Sequence, residues 1–193
     1  MSQPPISRFP VPDLAGVPED LRERMLAIQD RTGFIPNVFL AMAHRPEELR
    51  HFMGLHDALM EKESGLTKSD RELIVVVTSA ANDCLYCVVA HGAILRIRSK
   101  NPLLADQVAV NYRKAPLDDR TKAMCEFALK VANDSAALTE DDYAHLGQHG
   151  FSDEDVWDVG AIAALFAYSN RMANLTSLQP NPEFYAMARE RRP

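Results

Sequence analysis

Apolar residues recur along this chain at helical spacing almost everywhere after residue 18, and nowhere in paired, turn-bounded alternation. Leu21, Met25 and Ile28 keep the spacing of one helix, and Gly33 and Pro36 interrupt it before Val38 to Met42. Pro46 suits the first turn of the next helix, with Glu47 and Glu48 at its positive end, running to about Lys62. Gly65 ends that connection. Thr67 and Asp70 then form a capping box with the shorter acid, and an apolar run follows from Leu73 to Ala81. Its β-branched stretch, Leu73 to Val77, has the composition of a buried strand. A lone strand leaves its backbone unpaired, and no partner strand exists, so a central buried helix is predicted.

Pro102 opens a short helix, and Pro116 precedes a longer one over about Asp118 to Asn133. Leu138-Thr139-Glu140 and Phe151-Ser152-Asp153 each start another with a cap and first-turn acids, the last running through Val156 to about Leu175. The stretches 66–92 and 151–174 share a hydrophobic-hydroxyl-acid opening before an apolar helix, either a faint repeat or the shared grammar of helix starts. Residues 1–18 hold five prolines (Pro4, Pro5, Pro10, Pro12, Pro18) and are predicted to form an extended arm. The expectation is an all-α protein of eight to ten helices: an arm over 1–18 and one helical domain over 19–193.

Composition narrows the function classes. The 193 residues are 47% hydrophobic and 25% charged with a formal charge of −6, which suits one folded domain and argues against a nucleic-acid or anionic-membrane surface. Arg189, Arg191 and Arg192 at the C-terminus read as a solvated tail. No apolar run approaches the ~20 residues of a membrane span. The first residues lack a signal-peptide pattern, so a cytoplasmic location is expected. Three cysteines do not make a secreted disulfide framework, and in a reducing compartment a C-x-x-C pair is a redox or metal motif.

That pair is Cys84 and Cys87, followed by His91. On a helix these positions share one narrow stripe. Asn82 and Asp83 are strong N-cap residues, and a helix starting there puts both sulfurs in its first turn, where free N–H groups favour a thiolate. His91 can take or relay the proton. Glu72 is a second acid-base candidate. It reaches His91 only if the chain turns at Asn82-Asp83, because on one straight helix residues 72 and 84 lie ~18 Å apart. A zinc site built on Cys84, Cys87 and His91 is the competing reading, although it lacks a fourth ligand. His145 and His149 read as helix-end caps, Cys125 as a core thiol, and Asn170-Arg171 as structural. His44, His51 and His56 show no partner pattern.

The pattern Arg71-Glu72-Leu73-Ile74, then Cys84-x-x-Cys87-x-x-x-His91, resembles the alkylhydroperoxidase D-like branch of the carboxymuconolactone decarboxylase family. The core likeness spans about residues 45–100. It extends weakly through Tyr168-Ser169-Asn170-Arg171, and Phe34-Ile35-Pro36-Asn37 resembles the peroxidase-related subgroup. The resemblance implies the all-α fold of that branch and a thiol-dependent peroxidase, with Cys87 attacking a hydroperoxide, Cys84 resolving the sulfenic acid, and Glu72 and His91 relaying protons. It also implies a homo-oligomer, as do the buried apolar helices with their modest polar cover. No bound cofactor or metal is needed, but a small thiol or a reducing partner protein must restore the dithiol. The family prototype has a histidine where this chain has Tyr86, a poor base with an unperturbed pKa of ~10 and a candidate relay or substrate contact. A non-enzymatic thiol redox sensor or a zinc-binding helical module is the alternative function, and neither needs Glu72.

Overall fold

The computed structural model describes residues 5–190. Ten α-helices follow in order: α1 (Glu19–Thr32), α2 (Asn37–Met42), α3 (Pro46–Met60), α4 (Lys68–Ala81), α5 (Leu85–Ser99), α6 (Leu104–Asn111), α7 (Asp119–Asp134), α8 (Glu140–Gln148), α9 (Asp153–Leu175) and α10 (Pro182–Ala186). No strand occurs among the described residues. The β-branched run is helical because α4 is the centre of the molecule, packed on α5, α6, α7 and α9. Ile74, Val75 and Val76 are fully buried there, each contributing roughly 1.5–3 kcal/mol of hydrophobic burial. Thr78, also buried, donates its hydroxyl back to Ile74 O at 2.7 Å and needs no other partner.

The helix starts follow the predicted caps. Thr67 and Ser152 both form reciprocal capping boxes, with Asp70 and Asp155 respectively. The two starts also meet: a Cβ on Gly65 would lie 2.2 Å from the Asp155 carboxylate, so only glycine lets the loop before α4 pass the start of α9. The similar openings at 66 and 151 therefore belong to two helices packed side by side.

Three features differ from expectation. The arm is not wholly extended, since Leu14–Gly16 makes a 3-10 turn. It lies across its own chain, with Arg8 N donating to Thr176 O at 2.7 Å and Gln179 N to Ile6 O at 3.0 Å. Residues 1–4 of the arm, and Arg191 and Arg192, fall outside the described residues. Arg189 is not free in solvent but pairs with Asp106. Lastly, α10 was not predicted. Its five residues are too short for a periodic signal, and it is held by Phe184 edge-on to Phe34 and by Arg96, which donates to Phe184 O at 2.7 Å.

Candidate active site

The chain reverses between α4 and α5, and the site is built on that turn. Asn82 closes α4, and Asp83 takes a left-handed conformation (φ 50°), which an aspartate tolerates better than most residues. The helix then starts later than the sequence suggests. Asn82 and Asp83 are used up by the turn, and Cys84 itself is the N-cap of α5, its sulfur accepting the Cys87 N–H at 3.4 Å. Cys87 sits in the first turn. The two cysteines are unbridged, and each is 1% exposed.

The reversal folds α4 against α5 and brings Glu72 to His91, with Oε2 2.8 Å from Nδ1. Glu72 is buried and His91 nearly so. The Phe166 ring stands edge-on to the His91 ring at 4.7 Å between centroids. Sequence spacing paired Glu72 with His91 through the turn, and the structure joins them. A third ring was not anticipated. His56 of α3 lies 6.2 Å from His91 between centroids and reaches the surface, and burial beside His91 holds its pKa below the usual imidazole value.

The sulfurs are unequal. Cys84 accepts a hydrogen bond from the Cys87 thiol and another from the Cys87 backbone, with further help from Asn170 and His91. These lower its pKa to about 7, against the desolvation that opposes charge. The same thiol–thiol contact, together with burial, pushes Cys87 well up. The directions of the two shifts make Cys84 the more acidic thiol of the pair. Cys125, remote on α7, is pushed to about 12 by burial and stays a core thiol.

Two polar residues of α9 complete the surroundings. Ser169 Oγ lies 3.8 Å from Cys87 Sγ. Asn170, fully buried, donates to Ser79 Oγ at 2.9 Å and accepts from Asn82 Nδ2 at 3.2 Å, tying α9 to the turn. A serine and an asparagine side by side in an otherwise apolar helix are the signal for them, because buried polar groups need partners. Arg171, their neighbour, is exposed and bonds only its own helix.

Ser169 also lines a cavity of about 300 Å³, walled mainly by apolar side chains that include Phe9 of the arm, Phe52, Met172, Ala173 and Leu178. Charge at its rim is already matched, with Arg45 paired to Glu48 at 2.6 Å. Tyr86 is buried, and its hydroxyl accepts the Val38 N–H at 3.2 Å, capping the free amide end of α2. Burial pushes that phenol further up, away from any basic role. His145 and His149 stand at the end of α8, as caps there would. Among the described residues no three His, Cys, Asp or Glu side chains gather to hold a metal ion, and no helix is long and apolar enough to cross a membrane.

The sequence model of the carboxymuconolactone decarboxylase family matches residues 46–109, which run from α3 into α6 and include Glu72, both cysteines and His91. No curated protein matches the chain. Among solved structures, a peroxidase-related protein of Ralstonia eutropha, described as an alkylhydroperoxidase AhpD core, is 59% identical. The match covers 98% of this chain and all of that one, with a TM-score of 0.97. A peroxidase-related protein from a Silicibacter species is 38% identical over 98% of this chain and all of its own, with a TM-score of 0.92. The debrominase Bmp8 shares the fold at 19% identity and a TM-score of 0.74, over 95% of this chain and 95% of its own. With the reversed helix pair, its C-x-x-C turn and near full-length likeness to these peroxidase-related proteins, the chain belongs to the carboxymuconolactone decarboxylase family, in its alkylhydroperoxidase D-like branch.

Proposed function

We propose that this protein is a thiol-dependent peroxidase that cycles Cys84 and Cys87 between dithiol and disulfide. The observation that carries the reading is the 2.8 Å bond between Glu72 and His91, set behind a buried thiol pair at a helix start. A core histidine could be satisfied by a backbone carbonyl. A buried carboxylate holding the imidazole instead makes a proton relay, because it fixes the ring's orientation and the nitrogen that carries its proton.

The roles follow from position and charge. Cys87 adjoins Ser169 and through it the cavity, and it is the sulfur assigned to attack the peroxide O–O bond. The Cys84 thiolate is the nearest base and takes the Cys87 proton as that attack occurs. Cys87 becomes a sulfenic acid, and the alkoxide leaves as an alcohol on taking the Cys84 proton through His91. Cys84, again a thiolate, attacks the sulfenic sulfur, hydroxide leaves as water with one proton drawn from solvent, and the disulfide forms. An external thiol or a reducing partner protein then restores the dithiol. The apolar cavity beside Ser169 suits the organic group of a small hydroperoxide. A homo-oligomer is part of the proposal, supported by Trp157 and Val110, large apolar side chains standing in solvent.

Peroxide consumption with a dithiol reductant tests the reading on wild type, Cys87→Ser and Cys84→Ser. Both variants are expected to lose turnover, with sulfenic acid trapped at Cys87 in Cys84→Ser. Equal rates for wild type and Cys87→Ser would sink the proposal. The pH dependence has a definite sign. The pKa of Cys84 is lowered to about 7, so its thiolate is present above that pH and lost below it. Alkylation of Cys84 by iodoacetamide should climb as pH rises through about 7 and then level off. A midpoint near the ~8.5 of a free thiol would remove the electrostatic part of the mechanism.

A further inference from the structure

Glu72 and His91 are largely enclosed by the packing around them, yet the proposed cycle must exchange protons with solvent. Starting from the Cys84 thiolate and the Cys87 thiol, a hydroperoxide ROOH gives the disulfide, ROH and water. Two electrons pass from the sulfurs to the O–O bond as it breaks and the S–S bond forms. Of the two protons the products need, Cys87 supplies one, so the oxidative half takes up one proton from outside. The reductive half returns it. Some group must carry that proton past the packed walls of the site.

We propose that His56 is the proton port of this site, linking His91 to solvent. This rests on the peroxidase reading only for the identity of the oxidant, because a diazene such as diamide, whose reduced form also gains two protons, draws the same single proton from outside. Four observations support it. His56 stands 6.2 Å from His91 between ring centroids, so the two imidazoles are neighbours. Its side chain is 29% exposed where those of His91 and Glu72 are 12% and 9%, so it is the link between the buried couple and the surface. It comes from α3, outside the hairpin that carries the motif, and Phe52 and Phe166 flank it and keep the passage narrow. The charged groups facing it are Asp57 on its own helix, 3.5 Å from Nδ1, Glu61 one turn further on, Glu72 of α4 and His91 of α5. From α9 the Phe166 ring meets it. Acids on both sides of the ring favour passage of a cation through it, while its lowered pKa keeps it neutral and able to accept at neutral pH. His56 is a positioning and relay residue here and touches no reacting atom.

The test is single-turnover oxidation of the reduced protein in a stopped-flow instrument, with a pH-indicator dye reporting proton uptake. Wild type, His56→Gln and His56→Ala are compared with two oxidants, cumene hydroperoxide and diamide. Above pH 7 both variants should oxidise about tenfold more slowly than wild type with either oxidant, with dye signal and thiol loss slowed together. Added imidazole should restore His56→Ala, and iodoacetamide alkylation, which needs no proton, should be unchanged. Wild-type oxidation rates in both variants overturn the port. So does a slowing that imidazole does not relieve, since that marks a packing role. If wild type ignores the peroxide while diamide still shows the rescued defect, the peroxidase reading falls and the port stands.

Discussion

Residues 71 and 72 are neighbours on one helix, both charged and both buried, and they do opposite things. Arg71 is fully enclosed. Its guanidinium donates to Leu59 O and Ser64 Oγ, each at 2.5 Å, and to Asp158 at 3.2 Å, while Lys62 reaches the same aspartate from the surface at 2.9 Å. Those partners hold the Asp158 carboxyl below its usual range despite its burial. Glu72, 100° further round the helix, has one partner, His91, which in turn adjoins His56 and the cysteine turn. One charge is closed on itself and clamps α3, α4 and α9. The other opens onto two thiols. Burial of a charged group therefore does not mark a site by itself, and the partners' chemistry decides.

Asp158→Ala leaves the Arg71 charge buried without its counter-ion, which should cost about 3–5 kcal/mol, a large share of a domain's stability. Urea unfolding measures it. The double variant Arg71→Met, Asp158→Leu should recover most of the loss, because two apolar side chains replace a pair whose desolvation was costly. A change below about 1 kcal/mol in Asp158→Ala would mean that water or Lys62 already solvates the cluster. Oxidation of whatever fraction remains folded should proceed at the wild-type rate.

Glu72→Gln should give the reverse pattern. The amide keeps the shape of the carboxylate but cannot exchange a proton with His91, so single-turnover oxidation should fall by about 10²-fold while stability moves by no more than about 1 kcal/mol. Loss of stability on the scale of Asp158→Ala would make the two charges alike. A smaller effect is expected at the cavity. Ala173→Leu fills space beside Ser169 and should lower kcat/KM for cumene hydroperoxide about tenfold, leaving hydrogen peroxide nearly untouched. Equal loss on both peroxides would show that the substitution acts on the thiols rather than on the space.

Much of this was legible in sequence because it is carried by local grammar. The caps at Thr67 and Ser152, the all-round apolar helix and the spacing from Glu72 to His91 follow from periodicity and helix ends. The turn that joins Glu72 to His91 was readable from Asn82-Asp83, but its register was not. Which residue caps α5 depends on a left-handed Asp83, and that is set by how two helices meet. Ser169, Asn170 and His56 lie on α9 and α3, far away in sequence, so only packing brings them to the cysteines. The cavity wall is similarly nonlocal, with Phe9 arriving from the arm. The relation of Arg71 to Glu72 shows the limit most plainly. Two adjacent charges in an apolar run give the same signal in a sequence, and Asp158 lies 87 residues from the one it closes.

Tyr86 provides the finest division between the two kinds of buried polar group, and the smallest effect. It sits between the cysteines in sequence, where the family prototype has a base, yet its hydroxyl points to α2 and accepts the Val38 N–H. That amide belongs to the first turn of α2 and has no partner within its own helix. The oxygen thus does for α2 what Asp158 does for Arg71, at lower stakes because both groups are neutral. Tyr86→Phe should cost about 1–2 kcal/mol, the penalty for leaving a buried amide unpaired, with the oxidation rate within about twofold of wild type. Thermal unfolding and single-turnover kinetics on the same sample separate the outcomes. A tenfold slower oxidation with unchanged stability would place the phenol in the relay with Glu72, whereas the reverse result keeps it with Arg71, among the groups that hold the site in place without entering its chemistry.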